Sequence, residues 1–519
     1  MQQSHQVLQM RELGYGGDTD VLRKTVATYI QKGETPSTDD EWRAQPRLIN
    51  LPTQMEIFDQ SNQRISFAKY EYDLNALKPL SGAAPTNFCT DSYCASVTQR
   101  GNLSKLTAYE NAADLTGIVF DNRIYDKTGN MVTYASENTG TVQKAYTYTP
   151  LTAYAYPEEV LIGDVYNVNA PDLKVKSSAI YDFNTGLTLS VRDSDQQLAQ
   201  LSFDLQTWRP TRITSAAGAY VTFDFDDLNR AYTQIESDAN GQAKAKQISR
   251  LNRLGLPYRQ ETLTDLNGQN QEIWNVVESE YDYFGRLRKT SNPFRRDASQ
   301  HGIYFSEIFY DTRGRVWKTT TPDGSSALDY YNEATRPQGV SSEAGRTFRM
   351  VEPSGRQKWY RTDADENITE VMEPDPNDDG SVATGGLLTK YYYARLGQLL
   401  RTEQGAQQRF FRYDSLGRLT QQKGSEAQAT LGADGTFLGA GNGQWSDVYA
   451  YDKLGNITSH TDARGVKTNY SYINPAFPQL PIDPLNRLFS VSYNANEATD
   501  VLASPTVYCP NTLVQNYAL

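Results

Sequence analysis

The sequence predicts an all-β chain built from tandem hairpins, and three observations carry that expectation. First, 35 Tyr, 18 Phe and 6 Trp stand in a chain that is only 38% hydrophobic, with a mean hydropathy of -0.64. Disordered chains of such polarity are poor in aromatics. Tyrosine suits a half-exposed sheet, packing a ring on one side and keeping its hydroxyl wet on the other. Second, one pattern recurs: an alternating run ending in Tyr-Asp, two variable residues, Gly, then Arg or Asn, then another alternating run. Third, turns of a different composition separate the copies, so each unit reads as short strands between two turns.

The clear copies are YDKTGNMV (Tyr125, Asp126, Gly129), YDYFGRLR (Tyr281, Asp282, Gly285, Arg286), YDTRGRVW (Tyr310, Asp311, Gly314, Arg315), YDSLGRLT (Tyr413, Asp414, Gly417, Arg418) and YDKLGNIT (Tyr451, Asp452, Gly455). Weaker copies begin at Tyr181, Phe225, Asp363, Tyr393 and Asp483, and the intervening turns include TPDGSS around Asp323, EPSGRQ around Ser354 and TDARGVKTNYSY from Thr461. The motif has a local physical logic. Tyr closes a strand and packs on the neighbouring one. Asp accepts hydrogen bonds from the N–H groups of the turn, and Gly takes a positive φ that a Cβ disfavours. The following Arg or Asn satisfies the Asp or a free carbonyl. One such hairpin is marginal in water, but stacked copies bury each other's faces. The carboxylates recur once per turn, so they are read as turn residues and not as a pair of catalytic acids.

The interval from Tyr413 to Tyr451 exceeds that from Tyr281 to Tyr310, so insertions decorate the scaffold. Residues 424–447, rich in Gly, Ala and Ser, read as an exposed mobile loop, and residues 373–386 form a second insertion. Helix is scarce. VLRKTVATYIQ from Val21 reads as a strand because of its β-branched residues, and only STDDEWRA from Ser37 carries a capping box, Thr38 and Glu41, for a short turn. The expected organisation is a β-rich lead-in over 1–59, the repeat array over 60–493 and an irregular tail over 494–519.

Several function classes are disfavoured. Against 50 Lys+Arg stand 62 Asp+Glu, a net charge of -12, which repels phosphate backbones, so nucleic acid is not an expected partner. No run approaches the roughly 18 consecutive apolar residues of a membrane-spanning helix, and MQQSHQVLQMRELGYGG shows no signal-peptide h-region. Cys89, Cys94 and Cys509 form no disulfide framework; Cys89 and Cys94 are either bonded in a small loop or free. His5, His301 and His460 are scattered, and His301 and His460 read as surface histidines in turns. The nucleophile elbow, the zinc-protease helix, the P-loop and the dinucleotide fingerprint are all missing, and no cofactor is expected. Asp375, Asn377 and Asp379, with Gly380, match the first half of a calcium loop. Its twelfth position is Gly386 where an EF-hand places Glu, so a solvated acidic turn is the competing reading.

The five strong copies, with KYEYDLN at Lys69 and RGNLSKLTAY at Arg100 leading into them, resemble the YD repeat of the Rhs family. That family includes bacterial polymorphic-toxin shells, the toxin-encapsulating components of insecticidal toxin complexes, and animal teneurins. The resemblance implies a β-sheet wound in a spiral into a hollow shell around a toxic or unfolded C-terminal cargo, in a secreted or cell-surface system. It implies containment and not catalysis. The core-associated segment of the P-x-x-x-x-D-P-x-G kind that ends such shells is missing, and PQLPIDPLNRL from Pro478 reads as a degenerate Tyr-Asp turn. The chain therefore reads as part of a longer array, an open crescent or solenoid, with the rest of the shell or a toxin cargo as partner. The alternative is a surface adhesion or carbohydrate-binding protein that meets glycans through its exposed aromatics.

Overall fold

A computed structural model of the chain describes residues 7–14, 21–30, 50–85, 100–136, 143–165, 167, 169–266, 272–296, 302–377, 380–425, 445–493 and 507–508. Among these residues the regular structure is β, with two single-turn 3-10 helices, Pro150–Thr152 and Pro171–Leu173, and no α-helix. The all-β expectation is met. Val21–Tyr29 is a strand, as its β-branched residues predict. The candidate helical turn from Ser37, and Cys89, Cys94, Cys509, His5 and His301, lie outside the described residues.

Strands pair antiparallel with their successors. Thr188–Arg192 pairs with Leu198–Phe203, which pairs with Pro210–Thr214, then Tyr220–Asp226, Ala231–Ser237, Ala243–Leu251, Pro257–Leu266 and Glu272–Tyr281. Such a meander puts alternate turns on the same edge, so the Tyr-Asp turns share one edge and the intervening turns share the other. Each strong copy ends its strand in a bulge: Tyr125 faces Met131, Tyr281 faces Leu287, Tyr310 faces Val316, Tyr413 faces Leu419 and Tyr451 faces Ile457, every pairing with a register shift just before the Tyr. The extra residue is absorbed by the turn glycine, at φ 78 in Gly285 and 91 in Gly455. Along Thr188–Arg192 and Leu198–Phe203 exposed and half-buried positions alternate and none is fully buried, so neither face of this stretch is dry.

The chain divides into two compact units: unit 1 is residues 1–177, 362–369 and 389–519, and unit 2 is 178–361 and 370–388. Unit 2 contains a packed apolar cluster of Trp359, Met372 and Val382, flanked by Val340 and Leu388. Val382 belongs to the insertion at 373–386, which therefore does more than decorate. Its backbone is tied down where Gly380 O accepts from Gln357 N and Ala383 O accepts from Gln338 N. The physical reason is that Trp359 and Met372, on neighbouring stretches of one sheet face, need a third apolar group to exclude water. The ends of the other insertion are also ordered: Trp445 is buried and Gly424 N donates to Ser446 Oγ at 2.6 Å, while residues 426–444 lie outside the described set.

Beside the cluster sits a buried ion pair. Arg361 Nε donates to Glu370 Oε2 at 2.9 Å, Ser341 N donates to Glu370 Oε1 at 3.1 Å, and Glu343 takes a second guanidinium nitrogen of Arg361. Removing one member of such a pair costs about 3–5 kcal/mol, because the other charge stays in a dry site. Glu370→Ala is accordingly expected to lower stability by about 3–5 kcal/mol in urea unfolding, with much of the loss recovered when Arg361 and Glu370 are both replaced by Met. A double variant no more stable than the single would contradict this account.

Candidate functional site: the Tyr-Asp turns and a turn-to-turn seam

Each Tyr-Asp turn is organised by one carboxylate. Asp282 Oδ1 accepts from the N–H groups of Phe284 and Arg286, both at 2.9 Å, while Oδ2 accepts from Arg286 Nε at 2.7 Å. Asp311 does the same with Arg313, Arg315 and Arg315 Nε, and Asp414 with Leu416, Arg418 and Arg418 Nε. In the Gly-Asn copies the backbone pattern persists at Asp126 and Asp452. The same geometry occurs at Asp59, Asp193, Asp238 and Asn252, which the repeat pattern did not single out.

The turns also bind their neighbours along the array. The Tyr hydroxyl reaches back to a carbonyl at the start of the preceding return strand: Tyr281 to Pro257 O at 2.9 Å, Tyr310 to Leu287 O at 2.7 Å, Tyr451 to Leu419 O at 2.7 Å, and Tyr125 to Leu103 O at 3.0 Å. These hydroxyls are thus satisfied by backbone, a correction to the wet hydroxyl expected from composition. The motif arginine lies over the next ring in line, Arg286 on Tyr310 at 4.3 Å, Arg315 on Tyr331 at 3.9 Å and Arg418 on Tyr451 at 4.9 Å. Burial pushes the phenols of Tyr125, Tyr331 and Tyr451 above their ordinary value.

Within unit 1 the turns meet a second set of turns roughly 300 residues away in sequence. Ser415 N donates to Glu110 O at 2.8 Å and Ala112 N donates to Ser415 Oγ at 3.0 Å. Arg418 reaches Glu110 Oε1 at 2.9 Å, and its other nitrogens hold Asp414 and Asp452 O. Arg395 binds Gln60 Oε1 and its carbonyl accepts from Arg23 at 3.0 Å, while Arg487 donates to Asp172 O at 3.3 Å. In each case a turn on the Tyr-Asp edge meets a turn of the opposite edge or the strand end beside it. The approach is close: Gly163, at φ 115, has Leu173 O and Leu485 Cδ2 where a Cβ would stand. Glu110, Gln60 and Asp172 belong to no motif, and Ser415 holds one of the motif's variable positions, so sequence reasoning had no signal for their contacts.

Asp483 completes a turn of the same kind, with Leu485 N and Arg487 N donating to its carboxylate. Its N–H donates to Tyr472 O, and Ser471 pairs with Ser490 beyond it, so residues 473–482 are inserted between the Tyr and the Asp of one hairpin. His460, expected in a turn, lies in the strand Ile457–Asp462, stacked on Tyr449 and 2.6 Å from Asp447 Oδ1; strand pairing of Asp447 with Asp462 brings these groups together. Of the candidate calcium ligands, Asp375 Oδ1 accepts from Asn377 N at 2.8 Å and Asp379 lies outside the described residues. Among the described residues no group of three or more His, Cys, Asp or Glu is placed to hold a metal, and no helix is long and apolar enough to cross a membrane.

Fold and site together define a class, an all-β array of consecutive hairpins joined turn to turn. Solved structures of toxin-complex chains are similar to it. The crystal structure of TcdB2-TccC3-TEV superposes on 92% of this chain with a TM-score of 0.60 at 10% identity. TcdB2-TccC3 without its hypervariable C-terminal region superposes on 93% with a TM-score of 0.60 at 11% identity. The Photorhabdus luminescens Tc holotoxin pore carrying a TccC3 substitution gives 0.56 over 92% at 11% identity. This chain spans 31%, 30% and 29% of those chains, so the likeness concerns the fold of one part of them. No family profile and no curated protein matches the sequence.

Two predictions follow from this geometry. In a double-mutant cycle, Glu110→Ala and Arg418→Ala are expected to couple by about 1 kcal/mol or more, against roughly 0.5 kcal/mol or less for the more exposed pair Arg209 and Asp227. Coupling no larger than that of the exposed pair would show the seam to be energetically idle. The second concerns acid. Hydrogen bonds from Arg315 N and its guanidinium hold Asp311 below its ordinary 3.8, and the Ser325 and Thr321 hydroxyls lower Asp323 to about 2. A depressed carboxylate stabilises the fold above its unfolded value and stops doing so as pH falls through the folded one. The melting temperature should therefore hold from neutral pH down to about pH 4 and drop between about pH 4 and 2, as circular dichroism against pH would read. A melting temperature unchanged down to pH 2 would count against the turns as stability determinants.

Proposed function

We propose that the chain is a non-enzymatic Rhs/YD-repeat scaffold, part of a β-shell wall that encloses a toxin or other cargo in a bacterial secreted or surface system. One observation carries the reading: the seam in which Ser415 and Arg418 grip Glu110 and Ala112. A meander needs no such contact to form hairpins, but a wall does, because successive courses of strands must be joined turn to turn to hold anything in. The likeness in fold to TcdB2-TccC3 chains supports the same reading. So does the chemistry of the turns, whose carboxylates at Asp126, Asp282, Asp311, Asp414 and Asp452 are each engaged by their own turn.

Electron microscopy of the purified 519-residue chain tests the proposal. A curved wall bordering a void is the expected image. A filled rod or a compact particle without a void would overturn the wall reading and leave a packed solenoid.

A further inference from the structure

Three successive turns on the Tyr-Asp edge of unit 2 depart from the motif, and each departure releases an arginine from its own turn. In Phe225-Asp226-Asp227-Leu228-Asn229-Arg230 the arginine stands four places after the first aspartate, as Arg286 does after Asp282. Here Asn229 has taken the carboxylate instead, its N–H donating to Asp226 Oδ1 at 3.0 Å and its Nδ2 to Oδ2 at 2.7 Å. In the next turn Asn252 replaces the aspartate, and its Oδ1 accepts from Leu254 N and Leu256 N at 2.9 and 3.0 Å, so Arg253 has no carboxylate in its own turn. In the turn before, Asp204 is filled by Gln206 N and by the N–H and hydroxyl of Thr207, and Arg209 reaches out to Asp227 at 2.6 Å.

The three arginines line one groove of about 490 Å³. Phe225 and Tyr232 lie side by side in it, ring centroids 6.1 Å apart. Asp227 is the single acid of the lining and Arg209 takes it, while Arg230 and Arg253 are exposed and have no acidic partner among the described residues. The groove therefore holds two uncompensated positive charges in a chain whose net charge is -12. Asn252, its Oδ1 spent on the turn, leaves its Nδ2 as a further donor in the wall.

We propose that this groove binds a small phosphate monoester carried on a planar ring, with Arg230 and Arg253 on the dianion, Asn252 donating to a remaining oxygen, and Phe225 and Tyr232 receiving the ring. Two separate guanidiniums match the double charge of a phosphate monoester above its second pKa of about 6, where a carboxylate or a sulfate ester supplies only one charge. The volume falls within the range of small-molecule sites, roughly 300–1,000 Å³. The acidic balance of the rest of the chain repels a long polyanion, which restricts the ligand to a small one.

Phenyl phosphate is the probe, titrated by calorimetry into the full chain at about pH 8, where it is a dianion. Saturable binding of one molecule per chain is expected, roughly tenfold or more tighter than that of inorganic phosphate or phenyl sulfate, and weakened roughly tenfold or more by Arg230→Asn or Arg253→Ala. Asn tolerates the left-handed backbone of position 230, at φ 51, and an unchanged melting temperature confirms that each variant is folded. Arg313→Ala, at an exposed position of another Tyr-Asp turn, should leave binding as it was. Binding indifferent to both groove variants, or equally weakened by Arg313→Ala, would overturn the proposal, as would no saturation at millimolar probe. Inorganic phosphate binding as tightly as phenyl phosphate would remove the ring from the site, and phenyl sulfate binding as tightly would show that one charge suffices; either result overturns the assignment.

Discussion

In each strong Tyr-Asp copy a single carboxylate holds what extends outward from the turn. Asp282 closes its own turn, orients Arg286, and Arg286 then covers the ring of Tyr310, whose hydroxyl returns to the carbonyl of Leu287. The relay crosses from one repeat to the next, so the unit of stability is the junction and not the hairpin. A hydrogen bond of this kind contributes about 1 kcal/mol net and a cation–π contact about 0.5–1 kcal/mol. Each junction is therefore modest, and only their repetition sustains a long sheet.

That economy explains how strands with two wet faces persist without a continuous core. Where the sheet does have a packed cluster, at Trp359, Met372 and Val382, the chain inserts residues 373–386 to build it, and it places the buried Arg361–Glu370 pair alongside. Elsewhere isolated buried side chains such as Leu173, Val276 and Phe410 are joined by the contacts of the turns. A meander has two rims of turns, and in unit 1 they serve as complementary surfaces: a Tyr-Asp turn offers an arginine and a hydroxyl, and the opposite turn offers a carboxylate and free backbone groups.

The legible part of the sequence was the part that acts locally. Tyr-Asp-x-x-Gly-Arg encodes a turn within six residues and β-branched residues mark Val21–Tyr29 as a strand, so the all-β class and that strand could be read from the chain alone. The degenerate copies were harder for a physical reason. At Tyr393 the Asp is replaced by Ala394, yet the turn closes through Ala394 N to Gln398 O with Gly397 at φ 85, because the backbone pattern survives loss of the carboxylate. At Tyr472 the Tyr and the Asp are split by an insertion that no spacing rule anticipates. Glu110, Gln60 and Asp172 were invisible because their partners lie some 300 residues away, and Val382 because burial of an insertion residue depends on what surrounds Trp359.

The last turn position shows how one substitution redirects a repeat. Where it is Arg, the side chain is long enough to bind its own Asp and still lie over the next Tyr, so the copies at Tyr281, Tyr310 and Tyr413 couple along the array. Where it is Asn, the side chain ends near its own turn and cannot reach that ring. Asn456 instead exchanges amide hydrogen bonds with Asn486 at 2.7 and 2.9 Å, and Asn130 donates to Tyr154 O at 2.6 Å. Arg at this position thus extends the sheet in its own direction, while Asn ties the turn to a loop beside it. The alternation between Gly-Arg and Gly-Asn copies consequently carries structural information: arginine reaches along the array and, at Arg418, also across the seam to Glu110, while Asn456 and Asn130 bind a loop beside their own turns.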